Sequence, residues 1–258
     1  MSDLARWEIK LPSPHVEPSP RWVRVRAGDV EIANSRRALL LSWYGRGMLP
    51  TYCIPAGDVR TDLLTPSDPP SADALRIDHD VRAGEGTIPR SAQLFHDAPS
   101  PLEAVNGHWT FTWDEGLSWF EEALEVHVHA RDPSKRVDVV PSERHVRVEL
   151  DGEVVAESHR PHALFETTLP TRWYLPLADV REGMLVKSNT VSRCPYKGTA
   201  AYWSVRTSTA LHEDVAWTYA EPVIECPRIA GLVAFFNERV DLVVDGEPQS
   251  RPRTRWSR

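Results

Sequence analysis

The segment Ser188-Asn-Thr-Val-Ser-Arg-Cys-Pro-Tyr-Lys-Gly-Thr-Ala-Ala-Tyr-Trp203 concentrates side chains that could do chemistry. It holds a thiol, an ammonium, hydroxyls and aromatic rings around Pro195 and Gly198. Proline fixes one backbone angle and glycine frees another, so the segment reads as a shaped turn entering a strand. Cys194 and Lys197 are three residues apart and could converge on one ligand. An adjacent ammonium favours the thiolate, the reactive form of cysteine. Upstream, Glu166 supplies a carboxylate. In a catalytic site Glu166 would be general acid or base, Lys197 would bind an anionic group, and Cys194 would be nucleophile or pocket wall. Ser188, Tyr196, Gly198, Thr199 and Tyr202 would contact the ligand. Trp173, Tyr174, Trp203, Trp217 and Tyr219 could line an aromatic pocket, with core packing the competing account of each. The residues leave binding alone and binding with catalysis both open.

The elements that position this segment come from a duplication. Arg21-Trp-Val-Arg-Val-Arg26 matches Arg144-His-Val-Arg-Val-Glu149, each an alternating strand followed by a turn and a second strand. Ala33-Asn-Ser-Arg-Arg-Ala-Leu39 matches Ala156-Glu-Ser-His-Arg-Pro-His-Ala-Leu164. Tyr52-Cys-Ile-Pro-Ala-Gly-Asp-Val-Arg60 matches Trp173-Tyr-Leu-Pro-Leu-Ala-Asp-Val-Arg181, which aligns Cys53 with Tyr174. Trp109-Thr-Phe111 matches Trp217-Thr-Tyr219, and Gly116-Leu-Ser-Trp-Phe120 matches Gly231-Leu-Val-Ala-Phe235. Five matches in one order indicate two homologous domains, 21–135 and 140–248. Residues 1–20 read as an extended Pro-rich arm, 132–143 as a linker and 249–258 as a basic tail, solvated and disordered. Residues 65–92 are rich in Pro, Asp and Gly and read as a long loop or insert.

The two halves differ where chemistry is expected. Opposite the Cys-Pro-Tyr-Lys-Gly turn the first half reads Ser67-Asp-Pro-Pro-Ser-Ala-Asp-Ala-Leu75. Ala163-Leu-Phe-Glu166 aligns with Ala38-Leu-Leu-Leu41, so a carboxylate faces a leucine. One copy keeps a polar set that its twin lacks. This places the site in the second copy and makes the first a supporting one.

Short alternating or aromatic runs recur at 146–150, 154–157, 172–175, 185–188, 200–205, 215–219, 232–236 and 240–244, separated by turn residues. That spacing predicts a mainly β chain of two small antiparallel domains, with helical turns only near 177–181 and 227–230. Twenty-two prolines agree, because proline removes a backbone donor and breaks helices.

Composition excludes other classes. Ten Trp, six Tyr and six Phe in 258 residues rule out a disordered chain. No apolar run is long enough to cross a membrane. Thirty basic against thirty-seven acidic side chains give a net charge of −7, so a nucleic-acid partner is not expected. Three cysteines, Cys53, Cys194 and Cys226, form no C-x-x-C pair, against a disulfide scaffold or structural zinc. Cys53 and Cys226 read as structural. His127 and His129 alternate on an expected strand, but no third metal ligand is evident. No cofactor motif such as G-x-G-x-x-G is present, nor a P-loop. The amino terminus lacks an apolar core, and the expected compartment is cytoplasmic.

The string Cys194-Pro-Tyr-Lys-Gly-Thr-Ala-Ala-Tyr-Trp203 carries a resemblance, together with Glu166, the Trp173–Val180 string and Ala216-Trp-Thr-Tyr-Ala-Glu-Pro222. The chain resembles a tandem form of a bacterial family, domain of unknown function 427, which also bears a nucleotidyltransferase-type label. The resemblance covers most of 144–246 and is weaker over 21–130. It implies a β-tent-like fold, two small antiparallel sheets leaning over a pocket. The label finds no support in the residues: no paired carboxylates follow a Gly-Ser. The expected function is binding of a small anionic molecule in the second domain, with catalysis open. The alternative is a non-enzymatic β scaffold for a protein partner.

Overall fold

A computed structural model describes residues 11–45, 48–69, 73, 75–84, 86–114, 116–254, 256 and 257. Chain contacts divide these into a first unit, 11–132, and a second that starts at Pro133.

The first unit contains eleven described strands: β1 (His15–Pro18), β2 (Val23–Ala27), β3 (Val30–Ser35), β4 (Leu39–Ser42), β5 (Thr51–Pro55), β6 (Leu64–Pro66), β7 (Arg76–Ala83), β8 (Gly86–Phe95), β9 (His108–Phe111), β10 (Ser118–Glu121) and β11 (Leu124–Val126). The second repeats the count: β12 (Val137–Pro141), β13 (Val146–Leu150), β14 (Glu153–Ser158), β15 (His162–Glu166), β16 (Arg172–Pro176), β17 (Leu185–Cys194), β18 (Gly198–Arg206), β19 (Leu211–Thr218), β20 (Leu232–Phe235), β21 (Asp241–Val244) and β22 (Glu247–Gln249). Among the described residues helical content is confined to single 3-10 turns such as Leu177–Asp179 and Pro227–Ile229.

Each unit has a seven-stranded and a four-stranded sheet. The orders are β1-β4-β5-β9-β8-β7-β6 with β11-β10-β2-β3, and β12-β15-β16-β20-β19-β18-β17 with β14-β13-β21-β22. Strand n of the first unit therefore corresponds to strand n + 11 of the second. All pairings between the named strands are antiparallel, and the mainly β tandem fold follows the sequence reading.

The small sheet buries one face, so β2 and β13 alternate buried and half-buried residues. In the second unit Val146, Val148, Leu175, Val215 and Phe235 build the core between the sheets. The large sheet also buries its other face. There Leu164, Tyr174, Trp217, Tyr219, Cys226 and Ile229 pack together. The inner strand β16 is accordingly buried on both sides and reads as a run, Arg-Trp-Tyr-Leu, without alternation.

Pairing register corrects several expectations. Of residues 65–92, read as a loop or insert, 76–83 and 86–92 belong to the β7–β8 hairpin. Its Asp, Arg and Gly content masks a strand pattern because β7 and β8 carry polar pairs such as Gln93–Asp78. Trp109 sits opposite Ile54 and so matches Val233, which sits opposite Leu175; Trp217 matches Gln93 instead. Likewise Gly116–Phe120 leads into β10, the equal of β21, and does not match the start of β20. Both slips came from similar Trp-Thr-aromatic and Gly-Leu strings on different strands.

Glu166 does not match Leu41. Leu41 and Leu164 share a register position, and two residues on Glu166 matches Trp43. A carboxylate still faces an apolar residue. Val137–Pro141, read as linker, is strand β12. Of the expected arm, residues 1–10 lie outside the described residues and His15–Pro18 forms edge strand β1. The expected basic tail is built in: Thr254 donates to Glu238 at 2.6 Å, and Trp256 lies 6.3 Å from the Phe236 ring.

Candidate functional site

The second face of the large sheet carries a buried charge cluster. β15 places Leu164 and Glu166 on that face by the two-residue period of a strand. The β17–β18 turn delivers Lys197. Its shape depends on Gly198, whose φ of 102° lies in the left-handed region. A Cβ there would come within 3.3 Å of the Glu221 carbonyl oxygen and the Val223 nitrogen, so only glycine lets this backbone approach. Val223 N–H donates to the Lys197 carbonyl at 3.1 Å and locks the turn. Gly198 is thus a structural residue.

Lys197 is 9% exposed. Its Nζ donates to Glu166 Oε2 at 2.5 Å. Lys135, from the stretch read as linker, lies 3.4 Å from Glu166 Oε1 and donates to the Thr167 carbonyl at 3.0 Å. Burial alone would raise the Glu166 carboxyl, but the charges of Lys197 and Lys135 hold it below its ordinary value. Burial alone would lower Lys197, but Glu166 first, then Cys194 and Tyr174, raise it. Both groups are charged at neutral pH. Glu166 is therefore poorly suited to proton transfer there.

Two phenols flank the pair. Tyr174 is pushed up by burial, although Lys197 opposes the shift. Its hydroxyl accepts from Trp217 Nε1 at 3.0 Å. Tyr219 is also pushed up by burial, with Tyr174, Cys194, Tyr202 and Glu166 adding to the shift. Both stay protonated at neutral pH. Cys226 lies behind them, its thiol pushed up to about 11 mainly by burial. Cys194 is half-buried.

The remaining expected residues separate. Tyr202 lies on this face; its hydroxyl is 3.0 Å from Ser192 Oγ and its ring faces Phe236. Trp217 belongs to the site as the partner of Tyr174. Trp173 points the other way, into the core between the sheets, because it neighbours Tyr174 along one strand. Trp203 packs on that core too. Thr199 is exposed on β18 opposite Arg193, and Tyr196 is half-buried. Ser188 lies in the irregular stretch of β17 and lines a separate open groove of about 440 Å³ with Asn189, Thr190, Ser204, Glu213 and Asp214.

Sequence reasoning missed Lys135 and the buried bidentate pair Arg172–Glu238, both bonds 2.7 Å. The Arg172 guanidinium lies 5.7 Å from the Trp217 ring and buttresses it. A signal existed for this pair: an arginine within the apolar run of β16 needs a buried acid. His127 and His129 lie beyond β11, with Val128 between them at φ 75°, so they do not alternate on a strand. Among the described residues no three His, Cys, Asp or Glu side chains are placed to hold a metal ion.

A family model described as Domain of unknown function (DUF427) matches residues 15–122 and again residues 138–246. The chain belongs to the DUF427 family. It carries two DUF427 copies, and the second match spans Glu166, Tyr174, Lys197, Trp217 and Tyr219. A comparison with curated proteins gives no match. No helix among the described residues is long and apolar enough to cross a membrane.

Proposed function

We propose that the second DUF427 copy binds a small anionic molecule at Lys197. One observation carries this reading. The Lys197 ammonium is buried and has three N–H donors, yet among the described residues only Glu166 accepts from it. A buried ammonium with unmet donors is costly unless something else accepts from them. An anionic oxygen is the natural acceptor. Tyr174, a protonated phenol beside the ammonium, adds a donor. Glu166 has a positioning role here: it fixes Lys197 from one side and leaves the other side for the ligand. The free thiols Cys53, Cys194 and Cys226 fit a cytoplasmic setting.

The test is a thermal-unfolding screen with orthophosphate, acetate and a nucleoside monophosphate. A ligand at about 100 times its Kd adds roughly 2.7 kcal/mol. The expected result is a rise in Tm for the wild type that Lys197→Met abolishes. Equal responses from both proteins would remove the reading, and no response to any anion would favour the scaffold alternative.

A further inference from the structure

The two copies share a register that sets Tyr219 against Phe95. Ala92 lies opposite Phe111 and Leu94 opposite Trp109; Ala216 lies opposite Phe235 and Thr218 opposite Val233. One residue onward along β8 is Phe95, and one residue past β19 is Tyr219. Both rings are buried, 2% and 5% exposed. The side chains differ by one oxygen.

Phe95 packs with Leu41, Cys53, Ala98 and Leu102, an apolar setting that needs no hydroxyl. The Tyr219 ring packs in the matching cluster with Leu164, Tyr174 and Cys226. Its hydroxyl makes no hydrogen bond to any described residue. It is not among the fully enclosed polar atoms left without a partner, so it reaches open space at the edge of the cluster, where a ligand can meet it. The first copy shows that the fold accepts phenylalanine at this position. Packing does not call for the hydroxyl, and Tyr219 shares Tyr174, Cys194 and Glu166 as neighbours with Lys197.

The same register removes the neighbouring donors together. Tyr174 matches Cys53, and Trp217, which orients Tyr174, matches Gln93. In the first copy Gln93 is consumed internally, accepting from Arg76 at 3.0 Å and donating to Asp78 at 2.9 Å. No lysine stands in residues 67–75. One copy keeps an ammonium and two phenols on this face; the other keeps none of them.

We propose that Tyr219 is a ligand contact: its hydroxyl joins Lys197 Nζ and the Tyr174 hydroxyl in a three-donor cradle for one oxyanion group, a carboxylate or a phosphate. The proposal rests on the anion-binding reading of Lys197. It names the ligand chemistry more closely, since Glu166, the carboxylate of the group, is already held by two lysines. A site of donors selects a group with several lone pairs and negative charge.

The test titrates orthophosphate and acetate calorimetrically into wild type, Tyr219→Phe and Lys197→Met, with urea unfolding of the free proteins alongside. Tyr219→Phe should bind about tenfold or more weakly, as expected for one lost hydrogen bond to a charged group. Its unfolding midpoint without ligand should be equal or higher. The better-bound probe tells a carboxylate site from a phosphate site. Wild-type binding that Lys197→Met abolishes and Tyr219→Phe leaves unchanged would overturn the Tyr219 proposal alone. A lowered midpoint in Tyr219→Phe would assign the hydroxyl a structural role and overturn it too. Binding that ignores Lys197→Met would overturn both readings.

Discussion

Glu166 and Lys197 bond at 2.5 Å although three strands, β16, β20 and β19, stand between β15, which carries one, and β18, which the other precedes. Neighbouring strands are about 4.8 Å apart, so a flat sheet would hold these positions far apart. The sheet must curl for the side chains to meet, and the pair closes over the face that carries Tyr174, Trp217 and Tyr219. Twist is the general property of sheets that allows this. The bond thus reports the shape of the site as well as its charge.

Breaking this pair should destabilise the second copy strongly. Glu166→Gln leaves the Lys197 ammonium buried without its carboxylate. The expected loss is roughly 3–5 kcal/mol. Urea unfolding measures it; a loss below about 1 kcal/mol would show that the pair is solvated in solution.

The pair also sets a pH window. Glu166 is lowered in the folded state, so its contribution is full above the ordinary value of 4.5 and is lost as pH falls through the folded value. Lys197 is raised, so its contribution is full below 10.5 and is lost as pH rises through the folded value. Wild-type stability minus that of a Glu166→Leu, Lys197→Met double variant should be constant between about pH 5 and 10 and fall outside it. A slope near neutrality would contradict the assignment of both charges.

The three thiols should separate by access. Cys53 and Cys226 are buried, and burial pushes both thiols up, Cys226 to about 11. Cys194 alone is half-buried. Iodoacetamide at pH 8 should add one group to the folded protein, at Cys194, and three after unfolding. Modification of Cys226 at the same rate would show that the cluster behind Tyr219 opens readily.

The turn that delivers Lys197 should tolerate no side chain at Gly198. Gly198→Ala combines a φ of 102° with backbone atoms 3.3 Å from the new Cβ. Strain of this kind costs about 1–3 kcal/mol. Unfolding measurements should show that loss, with weaker anion binding because Lys197 moves with the turn.

The fold was legible where strands are short, alternating and bounded by turns. The run 146–150 became β13 because one buried face imposes a two-residue period, and 215–219 supplied the end of β19 as a short apolar run buried on both sides. β7 and β8 were not legible, since their polar side chains pair with one another, as Arg76 does with Gln93. At the site, Glu166 and Lys197 stood out because the first copy lacks both. Lys135 did not: it bonds Glu166 from a Pro-Ser stretch that carries no periodicity, and only the β12–β15 pairing brings it there. Tyr219 was legible as a pocket-lining ring, but the similar Trp-Thr strings set it against Phe111, and only the strand register shows Phe95 as its counterpart. Trp173 misled for a simple reason: adjacent residues on a strand face opposite ways.

The central claim is that Lys197 meets an anion. The chain has four lysines, Lys10, Lys135, Lys187 and Lys197, so side-chain 15N labelling gives few signals to assign. Orthophosphate should be titrated into the labelled protein and each ammonium followed by NMR. The account predicts that the Lys197 signal moves and saturates, and that Lys187, exposed on edge strand β17, does not. A Lys197 signal that stays fixed, or moves no more than that of Lys187, would contradict it.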